Sequence, residues 1–222
     1  MPALIAFDLD GVLYSSEPFL GEAYREAIAR VNARRPGSFA RVPTTREVLD
    51  HVGWPVSMII ARLFPDSDPV ALDLLYAETR HTIGTRVARG DGILFPGVPE
   101  TLASLRTAGY RLAVASNGRR QYVVTVLDAN RIAEYFEALI AADDLPARDK
   151  GEILRAYLER HGLTPAEIVL VGDRSSDVEA AAAVGCPFVG CDYGHGYRHE
   201  IEGHGPLVSS FAELRSLLTP RR

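Results

Sequence analysis

Short apolar runs alternate along the chain with segments in which apolar residues recur at helical spacing. The runs lack polar alternation and end in polar or glycine-containing segments, which is typical of strands buried on both faces. They lie at 3–7, 112–115, 138–141, 168–171 and 187–189. Between them, Val98, Leu102 and Leu105 share one helical face, and Gly109 supplies a stop. Strands separated by helices predict parallel β-α-β units, and hence an α/β fold built on a doubly wound parallel sheet.

Residues 15–90 interrupt this alternation, because they contain no convincing strand. Apolar residues recur there three or four positions apart, and prolines and glycines divide the segment into several helices. The spaced apolar residues are Ala23, Ala27, Ile28, Val31, Ile59, Ile60, Leu63 and Phe64. The sequence therefore predicts two domains, a core formed by 1–14 and 91–222 and an inserted helical domain at 15–90.

Composition argues against several classes of protein. Hydrophobic residues make up 47% of the 222 residues, and the net charge of −5 argues against a general nucleic-acid binder. No apolar run approaches the ~20 residues that span a bilayer, and the apolar N-terminus is too short for a signal peptide. Cys186 and Cys191 lie in an apolar stretch, which favours buried free thiols over a redox role. We expect a cytoplasmic protein that binds neither nucleic acid nor membrane, as a monomer or a homodimer.

Two acidic motifs follow predicted strands. The first strand ends in Asp8-Leu9-Asp10-Gly11, and the fourth ends in Gly172-Asp173, with Asp177 at the start of the next helix. Open α/β sheets bind ligands at this carboxyl edge, and adjacent carboxylates repel each other unless a cation lies between them. Mg²⁺ prefers oxygen ligands, and Asp8 and Asp173 can supply them if their strands are neighbours. The alternatives are solvated turn acids at Asp8 and Asp10 and a helix N-cap at Asp177.

Two further polar sites have the same placement. The second strand ends in Ser116-Asn117-Gly118, where a hydroxyl, a side-chain amide and free helix-start amides make an anion site or a plain helix cap. Lys150 begins a helix after the third strand. A lone lysine is usually solvated, but a helix N-terminus disfavours a cation, which points to compensation by carboxylates or phosphate.

These motifs, in this order, resemble the haloacid dehalogenase superfamily over essentially the whole chain. In that resemblance Asp8-Leu9-Asp10-Gly11 is the first motif, Ser116 is the second-motif hydroxyl, Lys150 is the lysine, and Gly172 to Asp177 is the acidic motif. Residues 15–90 resemble the helical cap of one subgroup, which includes phosphoglycolate phosphatases and β-phosphoglucomutases. The resemblance implies a Rossmann-like core in which the first and fourth strands are neighbours.

The resemblance also implies roles for the individual residues. Asp8 and Asp173 share one magnesium ion, with Asp10, through its backbone carbonyl, and Asp177 completing the metal-binding residues. Asp8 attacks phosphorus and becomes an aspartyl phosphate, while Asp10 protonates the leaving oxygen and later deprotonates water. The phosphoryl oxygens are held by Ser116, Asn117, Gly118 and Lys150.

Several positions depart from the family pattern or stay ambiguous. Val12 stands where many phosphatases of the family have Thr, and sugar-phosphate mutases of the same subgroup can carry Val there. Gly53-Trp54 resembles a cap loop that reaches substrate, although Trp54 is equally explained as a packing residue. Glu17 is expected to face solvent. For His195, His199 and His204, a flexible glycine-rich loop is favoured over a metal site.

The leading hypothesis is magnesium-dependent hydrolysis of a small phosphorylated metabolite, such as phosphoglycolate, a sugar phosphate or a nucleotide. A phosphomutase is the second hypothesis, because of Val12. A non-catalytic binding protein on the same fold is the third, since fold does not determine function. Asp10 argues against a true dehalogenase, which needs no acid or base there.

Overall fold

A computed structural model describes residues 2–145 and 150–218. The main sheet has six parallel strands in the order β5-β4-β1-β6-β7-β8. Their bounds are β1 Leu4–Phe7, β4 Arg111–Ser116, β5 Ala138–Ala141, β6 Ile168–Gly172, β7 Phe188–Cys191 and β8 Leu207–Val208. Two short strands, β2 Tyr14–Ser15 and β3 Ile93–Leu94, form a separate two-stranded sheet. The predicted doubly wound α/β architecture is confirmed.

The five predicted strands are all present, and the first and fourth of them, β1 and β6, are neighbours as expected. The fifth extends two residues beyond its predicted end, to Cys191. The sixth, β8, escaped prediction because a run of two residues carries no periodicity. Cys186 and Cys191 are buried free thiols, as expected.

The chain divides into two compact units, one running up to Ser15 and from Leu94 onward, the other Ser16–Ile93. The first unit contains the main sheet with α5 Val98–Thr107, α6 Arg120–Ala129, α7 Lys150–His161, α8 Ser175–Val184, α9 Arg198–Ile201 and α10 Glu213–Leu218. Three 3-10 turns, Ala133–Tyr135, Ala142–Asp144 and Pro165–Glu167, connect its elements. The central strand β1 is buried along its whole length, which explains its unbroken apolar sequence.

The second unit contains α1 Glu17–Arg34, α2 Thr45–Leu49, α3 Val56–Leu63 and α4 Pro69–Ala88. Its apolar core gathers the helically spaced residues of α1 and α3, among them Ala27, Val31 and Ile60. A capping box begins α2, in which the Thr44 hydroxyl accepts from the Glu47 amide at 3.2 Å and the Thr44 amide donates to the Glu47 carboxylate at 2.7 Å.

Candidate active site

Strand register brings the predicted site residues together. Phe7 of β1 lies opposite Val114 of β4 and Val171 of β6, so that all three strands end at the same edge. Asp8, Ser116 and Asp173 follow there, and each is no more than 3% exposed. The solvated-turn alternative therefore does not hold for Asp8.

Lys150 is buried against two carboxylates and is not solvated. Its Nζ lies 2.8 Å from Asp8 Oδ2 and also donates to Asp177 Oδ1. Burial by itself lowers the pKa of Lys150, but Asp177 and Asp8 outweigh burial and raise that pKa above its usual value. Lys150 therefore stays protonated at neutral pH and holds one oxygen of Asp8.

Asp177 serves the helix cap and the site together. Its Oδ2 accepts from the Asp173 amide at 3.1 Å and from the Arg174 amide at 3.0 Å, at the start of α8. Its Oδ1 accepts from Lys150. Because both oxygens already accept hydrogen bonds, Asp177 orients Lys150 and the backbone that carries Asp173.

A loop after β7 surrounds Asp173. Asp173 Oδ2 accepts from the His195 amide at 2.8 Å and from the Gly196 amide at 3.0 Å. Glycine is needed on two sides, since a Cβ on Gly11 would lie 2.5 Å from the Asp173 Cγ and one on Gly194 would lie 2.5 Å from the Asp173 Cβ. Asp173 is thus held by backbone amides in a space without side chains.

The expectation of a flexible loop around His195 is wrong. The His195 ring is buried, and its Nε2 lies 3.0 Å from the Ser15 hydroxyl. The prediction failed because glycines were taken as a sign of mobility, whereas Gly194 and Gly196 permit close packing against Asp173. His199 stacks on the ring of Tyr197.

The carboxylates fit a divalent cation. Oxygen atoms of Asp8, Asp173 and Asp177 lie within 4.8 Å of one another, and all three residues are buried. Within the described residues, the buried Asp173 Oδ1 has no hydrogen-bond partner. Burial, followed by Asp177 and Asp8, raises the pKa of Asp173 well above its usual range. A cation would offset this repulsion and occupy the free lone pairs, and all-oxygen donors suit a hard ion.

Burial also raises the pKa values of the first-motif acids. The pKa of Asp8 rises to about 7, because burial and the Asp177 charge outweigh the opposing effect of Lys150. The pKa of Asp10 rises to about 6 through burial, against the lowering effects of the Tyr122 hydrogen bond and Lys150. A carboxyl group with a pKa near neutrality is suited to both giving and taking a proton.

Tyr122 is a site residue that sequence reasoning missed. Its hydroxyl donates to Asp10 Oδ1 at 2.6 Å. Burial and the Asp10 charge raise the pKa of Tyr122 well above 10, so the phenol remains a donor. The available signal was its position, four residues after Gly118 in the first turn of the helix that follows the Ser116 loop.

Comparison with known proteins identifies the family. The model of the haloacid dehalogenase-like hydrolases matches residues 2–185. The chain belongs to this family. It is 34% identical over 220 residues to the phosphoglycolate phosphatase of Vibrio vulnificus strain YJ016, covering 95% of this chain and 93% of the relative. It is 32% identical to the phosphoglycolate phosphatase of Photobacterium profundum over the same shares of the two chains.

Solved structures extend the similarity to the fold. A predicted phosphoglycolate phosphatase from Haemophilus somnus superimposes with a TM-score of 0.87 at 25% identity, covering 98% of both chains. CbbY from Rhodobacter sphaeroides, solved in complex with xylulose 1,5-bisphosphate, gives a TM-score of 0.75 at 26% identity over 96% of both chains. This haloacid dehalogenase-like hydrolase is therefore a phosphatase of the phosphoglycolate phosphatase-like subgroup, as the resemblance implied.

The remaining candidate residues of this hydrolase lie in three places. In the Ser116-Asn117-Gly118 loop, the Ser116 Oγ accepts from the Gly118 amide at 3.0 Å. Gly53 and Trp54 belong to the helical unit, where Trp54 packs partly buried against the core with the Arg62 guanidinium 4.2 Å from its ring centre. Glu17 is exposed, as expected. Within residues 2–145 and 150–218, no helix has the length and apolarity needed to cross a membrane.

Proposed function

We propose that this hydrolase is a Mg²⁺-dependent phosphatase that cleaves a small phosphomonoester through an aspartyl phosphate on Asp8. The proposal rests on one observation above all, the buried ion pair of Lys150 and Asp8 at the sheet edge where Ser116 and Asp173 also lie. A buried carboxylate with a fixed cation beside it meets the two needs of phosphoryl transfer, a nucleophile and positive charge for the phosphoryl oxygens.

Asp8 is held in an orientation that suits attack. The Leu9 amide donates to its Oδ1 at 2.8 Å, and Lys150 lies 2.8 Å from its Oδ2. Lys150 also keeps Asp8 ionised against the effect of burial, because the ion pair lowers the pKa of the carboxyl group. The proposed phosphoryl-binding groups are Lys150, the Ser116 hydroxyl and the amides of the Asn117-Gly118 turn, which precede α6.

Asp10 is the proposed acid and base. In the first step the P–O bond to the leaving group breaks as Asp8 bonds to phosphorus, and Asp10 gives its proton to the departing oxygen. In the second step Asp10 takes a proton from water, whose oxygen attacks phosphorus and displaces Asp8. A pKa of about 6 supports both directions of proton transfer near neutral pH.

The proposed metal residues are Asp8, Asp173 and Asp10, the last through its backbone carbonyl, with Asp177 beside them. Bound Mg²⁺ would neutralise charge that develops on the phosphoryl group. We favour Asp177 as a support for Lys150 and the backbone, since both its oxygens already accept hydrogen bonds. Magnesium is preferred among divalent ions because the donors are carboxylate and carbonyl oxygens.

We further propose that Ser16–Ile93 is a helical cap that sets substrate choice, with Gly53 and Trp54 in the loop that meets the leaving group. The relatives named phosphoglycolate phosphatase support a small phosphorylated acid or sugar as the substrate. A cytoplasmic location agrees with the two buried free thiols, Cys186 and Cys191. Analysis of the products formed from a hexose 1-phosphate separates hydrolysis from the phosphomutase that Val12 suggests.

The test is Asp8→Asn, which preserves shape and removes the nucleophile. We expect phosphate release from an aryl phosphate to fall below one per cent of wild type, with an unchanged melting temperature. That cutoff corresponds to about 2.7 kcal/mol of transition-state stabilisation, which is little for the loss of a covalent route. Asp128→Asn, an exposed aspartate near the end of α6, is the matched control and keeps full activity. Activity of Asp8→Asn above that level contradicts the proposal.

A further inference from the structure

Asp10 lies on the turn that follows β1, beyond the last residue whose backbone pairs in the sheet. Within the described residues, Tyr122 is the one side chain that hydrogen-bonds its carboxylate, with 2.6 Å between the hydroxyl and Oδ1. The two residues are 112 positions apart in the chain. A carboxylate on a turn would otherwise sample several rotamers, so this contact decides where Asp10 points.

Tyr122 is itself held firmly. It lies in the first turn of α6, whose neighbouring residues Val123 and Val126 are fully buried in the core. A Cβ on Gly118 would lie 3.0 Å from the Tyr122 Cδ1, so the ring passes close over the glycine of the phosphoryl-binding loop. The phenol thus links the loop that holds the phosphoryl group to the group that transfers the proton.

We propose that Tyr122 is a positioning residue that holds Asp10 for proton transfer to the leaving oxygen. This inference rests on the proposed function, in which Asp10 is the acid and base. With Oδ1 occupied by the phenol, Oδ2 is the oxygen that carries the proton. In the first step the Oδ2–H bond breaks and an O–H bond forms on the departing alcohol. In the second step Oδ2 takes a proton from the attacking water.

The consequence is a dependence on the leaving group. An alkyl ester expels a basic alkoxide and needs the proton, whereas p-nitrophenyl phosphate expels an acidic phenol and needs it little. We measure kcat/KM, because it covers the steps up to departure of the leaving group and excludes the hydrolysis of the phosphoenzyme that all substrates share. Tyr122→Phe should lower kcat/KM by about tenfold or more for an alkyl phosphate and by about threefold or less for p-nitrophenyl phosphate.

Two variants frame the result. Asp10→Asn should show the same bias toward the aryl ester, with a larger loss on the alkyl ester, because the acid itself is removed. Tyr135→Phe, in the 3-10 turn that follows α6, removes a hydroxyl from the same unit and should leave both esters unchanged. The ratio of the two kcat/KM values does not depend on how much of a variant is folded, so partial unfolding does not disturb the comparison.

The outcomes separate the two ideas. If Asp10→Asn lowers both esters equally, the proposed role of Asp10 is wrong. If Asp10→Asn shows the bias and Tyr122→Phe scales both esters equally or changes neither, the role of Tyr122 is wrong and Asp10 keeps its role. Selective loss on the alkyl ester in both variants, with Tyr135→Phe unchanged, supports the inference.

Discussion

At the residue scale, the site is an arrangement of buried charge with too few cations. Asp8, Asp173 and Asp177 face one lysine, Lys150, and all four are buried. Buried charges are costly unless they are paired, and a single lysine pairs two of these carboxylates at most. The remaining negative charge is expressed in the raised pKa of Asp173. This is the physical reason to expect a divalent cation here.

Asp173→Ala tests that reason. We expect the Mg²⁺ concentration for half-maximal activity to rise at least tenfold and excess metal to restore part of the activity, because one of the two proposed carboxylate ligands is lost. A titration of phosphate release against Mg²⁺ measures this, with Asp128→Ala as the control. An unchanged magnesium dependence would remove Asp173 from the metal site.

Asp10 predicts a pH effect on the stability of the metal-free protein. Its pKa rises from 3.8 to about 6 on folding, so the folded state keeps a proton that the unfolded chain releases. The associated stability is fully present below pH 3.8 and is lost as the pH rises through about 6. In Asp10→Asn this loss is absent, and Asn can still accept the Tyr122 hydrogen bond.

We therefore expect the unfolding free energy of Asp10→Asn, relative to wild type, to rise between pH 4 and pH 7. Urea unfolding in the presence of a chelator, at one-unit intervals of pH, measures the difference. A constant or falling difference over this range would show that burial does not raise the pKa of Asp10.

At the scale of single elements, loops after strands carry the precision of the site. Three glycines, Gly11, Gly194 and Gly196, let backbone from two loops approach Asp173. Their sequence signature is the same as that of a mobile loop, and only the packing distinguishes the two. The helices are simpler, because an amphipathic face predicts both the helix and the side that it buries.

Gly194→Ala and Gly84→Ala should act in opposite directions. A Cβ on Gly194 would lie 2.5 Å from the Asp173 Cβ, so we expect about 1–3 kcal/mol of destabilisation and weaker metal binding. A Cβ on Gly84, within α4, would meet no atom within 4 Å. Alanine there should stabilise the protein by about 0.5–1 kcal/mol. Denaturant unfolding and magnesium titration of both variants measure the effects, and a neutral Gly194→Ala would contradict the packing argument.

At the scale of the whole molecule, the chain forms two compact units, and the chemistry described above lies in one of them. Loops on a separate unit can read the leaving group without contacting the phosphorus. Trp54, packed partly buried with Arg62 over its ring, is the proposed reader.

Trp54→Ala should change the order of preference among phosphate esters. Its release of phosphate from a small aryl ester should stay within roughly tenfold of wild type, because ~1.4 kcal/mol is ample for an indirect effect. A screen of phosphorylated metabolites measures the order, with Met58→Ala, an exposed apolar residue of α3, as the control. Equal loss on every substrate, or unfolding of the variant, would make Trp54 a packing residue.

The sequence by itself determined the sheet strands longer than two residues and the polar motifs at their ends. Burial on both faces demands an unbroken apolar run, and parallel strands place their carboxyl ends at one edge, so both features are local and readable. Asp8, Ser116 and Asp173 could therefore be assigned to one edge of the sheet before any coordinates.

Only the tertiary structure decided which partners these residues have. The contacts between Tyr122 and Asp10, between Lys150 and Asp8, and between the His195 amide and Asp173 each join segments far apart in the chain. No local pattern encodes such pairs, because they depend on how neighbouring strands register and on how closely glycine backbone approaches a side chain. The glycines of the His195 loop were misread for that reason, since the same residue type permits mobility in solvent and close packing in a core.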